Sequence, residues 1–255
     1  MTLDLTFFAV AVPAVFFAAV SKAGFGSGAA FAAAAILALV LPPGQALGVM
    51  LPLLMLVDVA SLRPYWRRWH GPSALWLILG AVPGVALGAW LYTAVEADVF
   101  RFLIGAMCLL FVAWQLWGGR LVRPGTGGAP RLTPRFKALG GLTGVFAGFT
   151  SFVSHAGGPP VAVFLLGHGL GKTAYQATTV IVFWAINLMK AVPYAFLGIF
   201  TAQTLLADLL LAPVALLGTW AGVRAHYWMP ERAFFLLTYA LLIATGSRLI
   251  WLGLT

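Results

Sequence analysis

Acidic residues are scarce in this chain: six Asp and Glu stand against fifteen Lys and Arg in 255 positions. Charged residues of both signs make up only 8% and hydrophobic ones 62%, with a mean hydropathy of +0.99. So little polar surface cannot cover a water-soluble globule, and most of the chain must face hydrocarbon. Cysteine occurs once, at Cys108, which excludes an internal disulfide. Nothing has metal-ligand spacing, so neither a metal nor any other cofactor is expected. No polar stretch is long enough to form a separate soluble domain. The first apolar run, in "MTLDLTFFAV", has no Lys or Arg before it. That argues against a cleaved signal peptide, and the segment is expected to stay attached. The formal charge of +9 would suggest nucleic acid for a soluble protein. Here the basic residues gather at the ends of apolar runs, where they report membrane topology, and no nucleic-acid partner is expected.

What is present is a series of apolar runs near the ~20 residues that cross a bilayer. They lie at roughly 4–20, 28–41, 45–62, 74–93, 99–118, 137–153, 159–167, 175–199, 204–223 and 233–252. The expected fold is an all-α integral membrane protein of one domain, embedded in a plasma (bacterial inner) membrane. The Gly-, Pro- and Arg-rich stretch from Gly118 to Lys137 divides it. Residues 1–118 and 137–255 form two halves, with 119–136 as a cytoplasmic linker.

The halves read as a repeat. "QALGVMLPLL" at Gln45 and "QATTVIVFWA" at Gln176 align at 176 − 45 = 131, and Gly26 and Gly157 share that offset. "LGAW" at Leu87 and "LGTW" at Leu217 align at 130. Charge inverts between the copies. "RPYWRRWHG" after the second long run is basic and "AVEAD" after the next is acidic, whereas the corresponding second-half loops are "GIFTAQ" and the basic "RAHYWMPER". Since Lys and Arg mark the cytoplasmic face, homologous loops fall on opposite faces, as in an inverted repeat. Each half is then expected to be a hairpin of two short or re-entrant helices followed by three transmembrane helices, with both termini non-cytoplasmic.

The hairpin turns are "SKAGFGSG" (Ser21–Gly28) and "SHAGGPP" (Ser154–Pro160). Irregular backbone at membrane depth survives only when buried in protein or lining a wet cavity. Helices restarting near Ser27 and Pro159 would present N–H groups and a positive dipole end, which favour an anion. Lys22 and His155 flank the turns, and Ser21, Ser27 and Ser154 add hydroxyls. Lys190 lies deep in an apolar run, with Asn187 one turn earlier on the same face. The candidate substrate contacts are therefore Lys22, Gly26, Ser27, Gly28, Ser154, His155, Gly157, Gly158, Asn187 and Lys190. Plainer readings compete: Lys22 snorkelling to an interface, serines bonding their own helices, glycines serving close packing, and His168 at the surface. For Asp58 an interfacial pair with Arg63 is expected, and for Asp208 a capping or interfacial role.

The run "FVSHAGGPPVAVFLL" followed by "KTAYQATTVIVFWAINLMKAVPYAFLG" resembles the sulfite exporter and toluenesulfonate uptake permease family, the TauE/SafE-type transporters. The likeness is strongest from Gly148 to Gly198. It implies a secondary transporter of small sulfur-containing or carboxylated anions built from two related halves, with Gly157, Gly158, Pro159, Asn187 and Lys190 matching the recurrent second-half pattern. The first-half "GFGSG" departs from that family's glycine run. The expected function is alternating-access transport of a small anion, a sulfur oxyanion or organosulfonate foremost, with the lipid bilayer as the other partner and the coupling proton or ion left open. Two other classes compete. An intramembrane serine hydrolase would use Ser27 or Ser154 with His155, but no G-x-S-x-G motif or orienting third residue accompanies them. An anion channel would share the positive site.

Overall fold

The computed structural model describes residues 2–25, 31–117, 132–228 and 231–254, and among them it is all-helical. The helices are α1 (Leu5–Phe25), α2 (Phe31–Leu37), α3 (Pro43–Leu62), α4 (Gly71–Ala94), α5 (Ala97–Trp117), α6 (Pro134–Ser154), α7 (Gly158–Gly167), α8 (Lys172–Phe196), α9 (Ala202–Trp228) and α10 (Glu231–Leu254). Seven helices are long and apolar enough, over their described residues, to cross a membrane. Large apolar side chains such as Phe146, Trp220 and Leu209 are exposed on the outside of the bundle, as a lipid-facing surface requires. Local chemistry sets the starts. Proline opens α3, α4, α6 and α7 within the first turn, and Thr133 caps α6 by accepting from the Phe136 N–H at 3.1 Å.

The hairpins differ from expectation. α1 and α6 are full-length helices of 21 residues, and only their partners α2 and α7, of 7 and 10 residues, are short. Tertiary hydrogen bonds explain why α1 persists through "SKAGF". Tyr65 donates to the Ala23 carbonyl at 2.9 Å, Gln176 donates to the carbonyls of Lys22 and Ala23, and the His226 ring lies 2.7 Å from the Gly24 carbonyl. These side chains satisfy carbonyls that a helix end leaves open.

Packing runs between the halves. α1 lies along α9, α4 along α6, and α5 along α10. Each pairing is close because glycines leave backbone against backbone: Gly24 meets Gly222, Gly80 meets Gly141, and Gly105 meets Gly246. One end of the bundle gathers the N-terminal residues, the 42–45 turn, Val95–Ala97, Gly198–Thr201 and the end of α10. The other gathers Arg63–His70, His168 and His226.

Candidate functional site

Two polar clusters sit inside the bundle, tied together by α8. In the first, the Lys22 ammonium of α1 lies 3.0 Å from Asp58 of α3, and Asn187 of α8 donates to the other Asp58 oxygen at 2.7 Å. All three are buried, Asp58 completely. Lys22 also stands over the Phe183 ring, 5.3 Å from its centre. The snorkelling reading of Lys22 and the Arg63 partnership of Asp58 are both overturned. α1 stays helical past Lys22 and aims that side chain inward, where Asp58 is the counter-charge.

In the second cluster, one turn along α8, Lys190 is wholly buried. Its ammonium has three N–H groups and three neighbours: the Ser151 carbonyl at 3.0 Å, the Ser151 hydroxyl at 3.0 Å and His155 Nδ1 at 2.8 Å. A carbonyl can only accept, so Lys190 donates there, and its remaining N–H groups serve the other two. With Lys190 as an ammonium, Nδ1 accepts from it and the ring proton belongs on Nε2 of a neutral His155. Nε2 is buried with no hydrogen-bond partner. Among the described residues no carboxylate lies within ion-pair distance of Lys190.

Backbone strain sets the aim of His155. It ends α6 in the left-handed region at φ 57°, where a β-carbon is disfavoured, while its N–H and that of Ala156 close onto the Ser151 and Thr150 carbonyls. The turn then restarts at once as α7, with Gly157 flanking and Gly158 first. Because Pro159 and Pro160 follow, Gly158 keeps the one N–H of the first three helical positions. The rim of N–H groups expected at this restart is therefore mostly stripped. The dipole remains.

The other expected contacts divide. Gly157 serves packing: a β-carbon there would lie 2.7 Å from both the Ala147 carbonyl and the Phe183 ring. Ser154 turns away from the cluster, donating to the Thr150 carbonyl at 3.3 Å and lying 3.2 Å from the Met107 sulfur. It makes no bond to His155, whose Nδ1 is engaged by Lys190, so no nucleophile–base pair is assembled between them. Gly26, Ser27 and Gly28 lie outside the described residues. Asp208 is no cap, since both its oxygens are buried without a partner while Thr201 and Thr204 bond reciprocally at the start of α9. His168 is half-buried rather than superficial, wedged against Phe136 and Phe164.

Asp58 and Ser151 complete the two clusters, and neither was among the expected substrate contacts. Each meets a lysine of its own half: Asp58 meets Lys22, and Ser151 meets Lys190. The Tyr65–Ala23 and Tyr194–Phe152 hydrogen bonds each span 42 residues and are displaced by 152 − 23 = 129. That offset also relates Asp58 to Asn187, Lys22 to Ser151 and Ser61 to Lys190. The space beside Lys22 and Asp58, bounded by Thr179, Val180 and Phe183, is too narrow to admit water. A cavity of about 350 Å³ opens at the end that holds Pro42–Gln45, Tyr92 and Thr201.

The family model for "Sulfite exporter TauE/SafE" matches residues 11–249. No protein of curated function and no solved structure matches the chain. With a multi-pass helical bundle built around buried lysines and that match over nearly its whole length, the chain belongs to the TauE/SafE sulfite exporter family of membrane transporters.

Proposed function

We propose that the protein is a secondary transporter that moves a small anion, a sulfur oxyanion or organosulfonate foremost, across the plasma membrane by alternating access. The observation that carries this reading is Lys190: a wholly buried ammonium whose three contacts are all neutral acceptors. A charge in that setting calls for a counter-ion, and no carboxylate of the described residues lies within ion-pair distance of it. His155 Nε2–H, which closes no full hydrogen bond although the Leu47 carbonyl faces the ring, adds a donor at the same place. Lys190 gives the field and holds the imidazole tautomer, while Nε2–H and the Gly158 N–H offer hydrogen bonds to the anion's oxygens. The centre is closed on itself, so a substrate must arrive through a rearrangement. The 350 Å³ cavity is an approach from one end, and it reaches α3 at Gln45, two residues before the Leu47 carbonyl that faces the His155 ring.

The reading of two inverted halves draws support from exchanged packing. α1 lies on α9 where its second-half counterpart α6 lies on α4, and paired tyrosines close the ends of both α1 and α6. Rocking of these units about the α3–α8 contact would expose the Lys22 and Lys190 clusters to each face in turn. The test is a thermal-shift screen of purified protein against sulfite, sulfonates, thiosulfate, sulfate and short carboxylates, repeated on Lys190→Ala. A stabilising anion is expected for the wild type, weakened at least ~10-fold in Lys190→Ala and rescued poorly by Lys190→Arg. A mutant that melts lower yet keeps wild-type affinity removes Lys190 from the site.

A further inference from the structure

Counted as two ammonium groups, one carboxylate and a neutral imidazole, the central groups sum to plus one. Lys22 from α1, Asp58 from α3 and Lys190 from α8 are the ionisable side chains that meet there, and His155 faces Lys190. Lys22 and Asp58, at 3.0 Å, cancel. His155 is neutral because its Nδ1 accepts from Lys190. One positive charge is left over, on a side chain with 0% exposure. Inside a bundle a single uncompensated charge is costly, and so is any excess of the opposite sign.

We infer that the site selects singly charged oxyanions over doubly charged ones, and that Asp58 is the specificity-determining residue because it cancels Lys22. A monoanion brings the closed site to zero, whereas a dianion leaves it at minus one in the same low-dielectric surroundings. Without Asp58 the two lysines would together match a dianion. Asn187 fixes the rotamer that does this, by donating to the Asp58 oxygen beside the one that meets Lys22. The inference rests on the proposed anion site and adds the charge class of what enters it.

Methanesulfonate and sulfate make the test, since both are tetrahedral and close in size but differ by one charge. Their affinities for the purified full-length protein are measured by calorimetry at neutral pH. The wild type is expected to prefer methanesulfonate by at least ~10-fold. Asp58→Asn, which leaves both lysines uncompensated, should shift that ratio toward sulfate by at least ~10-fold. Because Asp58→Asn strands Lys22 and can cost the fold, the double variant Lys22→Gln/Asp58→Asn is measured alongside it. It removes both partners, keeps the net charge, and should retain the wild-type preference. A wild type that binds sulfate as tightly as methanesulfonate, or a double variant that loses the preference, overturns the charge rule and leaves the anion site standing. If no anion of the wider screen binds the wild type, the anion site itself falls and the charge rule with it.

Discussion

His70 occupies a position that Ser, Thr, Asp or Asn usually fill: its Nδ1 accepts from the Ser73 N–H at 3.3 Å and caps α4, with the Ser73 hydroxyl at 2.8 Å. Its own N–H reaches Thr178 of α8 at 2.9 Å, joining the two elements. Burial, and then the charge of nearby His168, hold the imidazole below its ordinary 6.5. The unfolded chain therefore takes up this proton first as pH falls. Stability from the neutral cap is full above about 6.5 and is lost between there and the lower folded value. The melting temperature should fall across that window, and His70→Asn, which caps without titrating, should flatten the fall. At this scale the lysines, Asn187 and His155 were legible because a polar residue inside an apolar run has few innocent explanations. Asp58 and Ser151 were not. Asp58 lies five residues before Arg63, and only the inward turn of Lys22 on another helix shows which cation it meets.

Helix by helix, the hydropathy runs fall within a few residues of the observed elements, except where tertiary hydrogen bonds prolong α1 through its glycine-bearing end. No local signal could foresee that, because Tyr65, Gln176 and His226 come from distant parts of the chain. The α4–α6 seam shows the same limit for glycine, whose role depends on what faces it. A β-carbon at Gly84 would run into the Val145 carbonyl and lie 2.9 Å from the Phe149 nitrogen, whereas at Gly141 it would meet nothing within 4 Å. Gly84→Ala should destabilise by about 1–3 kcal/mol through overpacking. Gly141→Ala should be neutral or slightly stabilising, because alanine is the better helix former. Parallel melting curves of the two purified variants check both; equal losses would mean that the seam yields where the backbone contact is drawn.

On the scale of the whole molecule, the described chain ends lie at one end of the bundle. Arg63, Arg67, Arg68, Arg135, Lys137, Lys172 and Arg224 mark the opposite end, and Asp4, Glu96 and Asp98 stand at the first. The positive-inside rule then predicts that single cysteines at Thr2 and Leu254 in a Cys108→Ala background both react with an impermeant thiol reagent from outside intact cells. Labelling of one alone would break this topology. The apolar helices were legible in hydropathy; their partnerships were not, since nothing in an apolar helix says which other helix it will lie against.

Those partnerships have a consequence for synthesis. α1 ends at Phe25 and its main neighbour α9 begins at Ala202, so 202 − 25 = 177 residues must be made before the two can meet. At ~5–20 residues per second that is an interval of about 9–35 s, during which the small-residue face of α1 has no permanent cover. Asp58 emerges much sooner, 36 residues after Lys22, and can neutralise that lysine while the ribosome is still in the first half. The buried ion pair thus serves the nascent chain before it serves the finished one, and neither half, released alone, has the surfaces it needs to close.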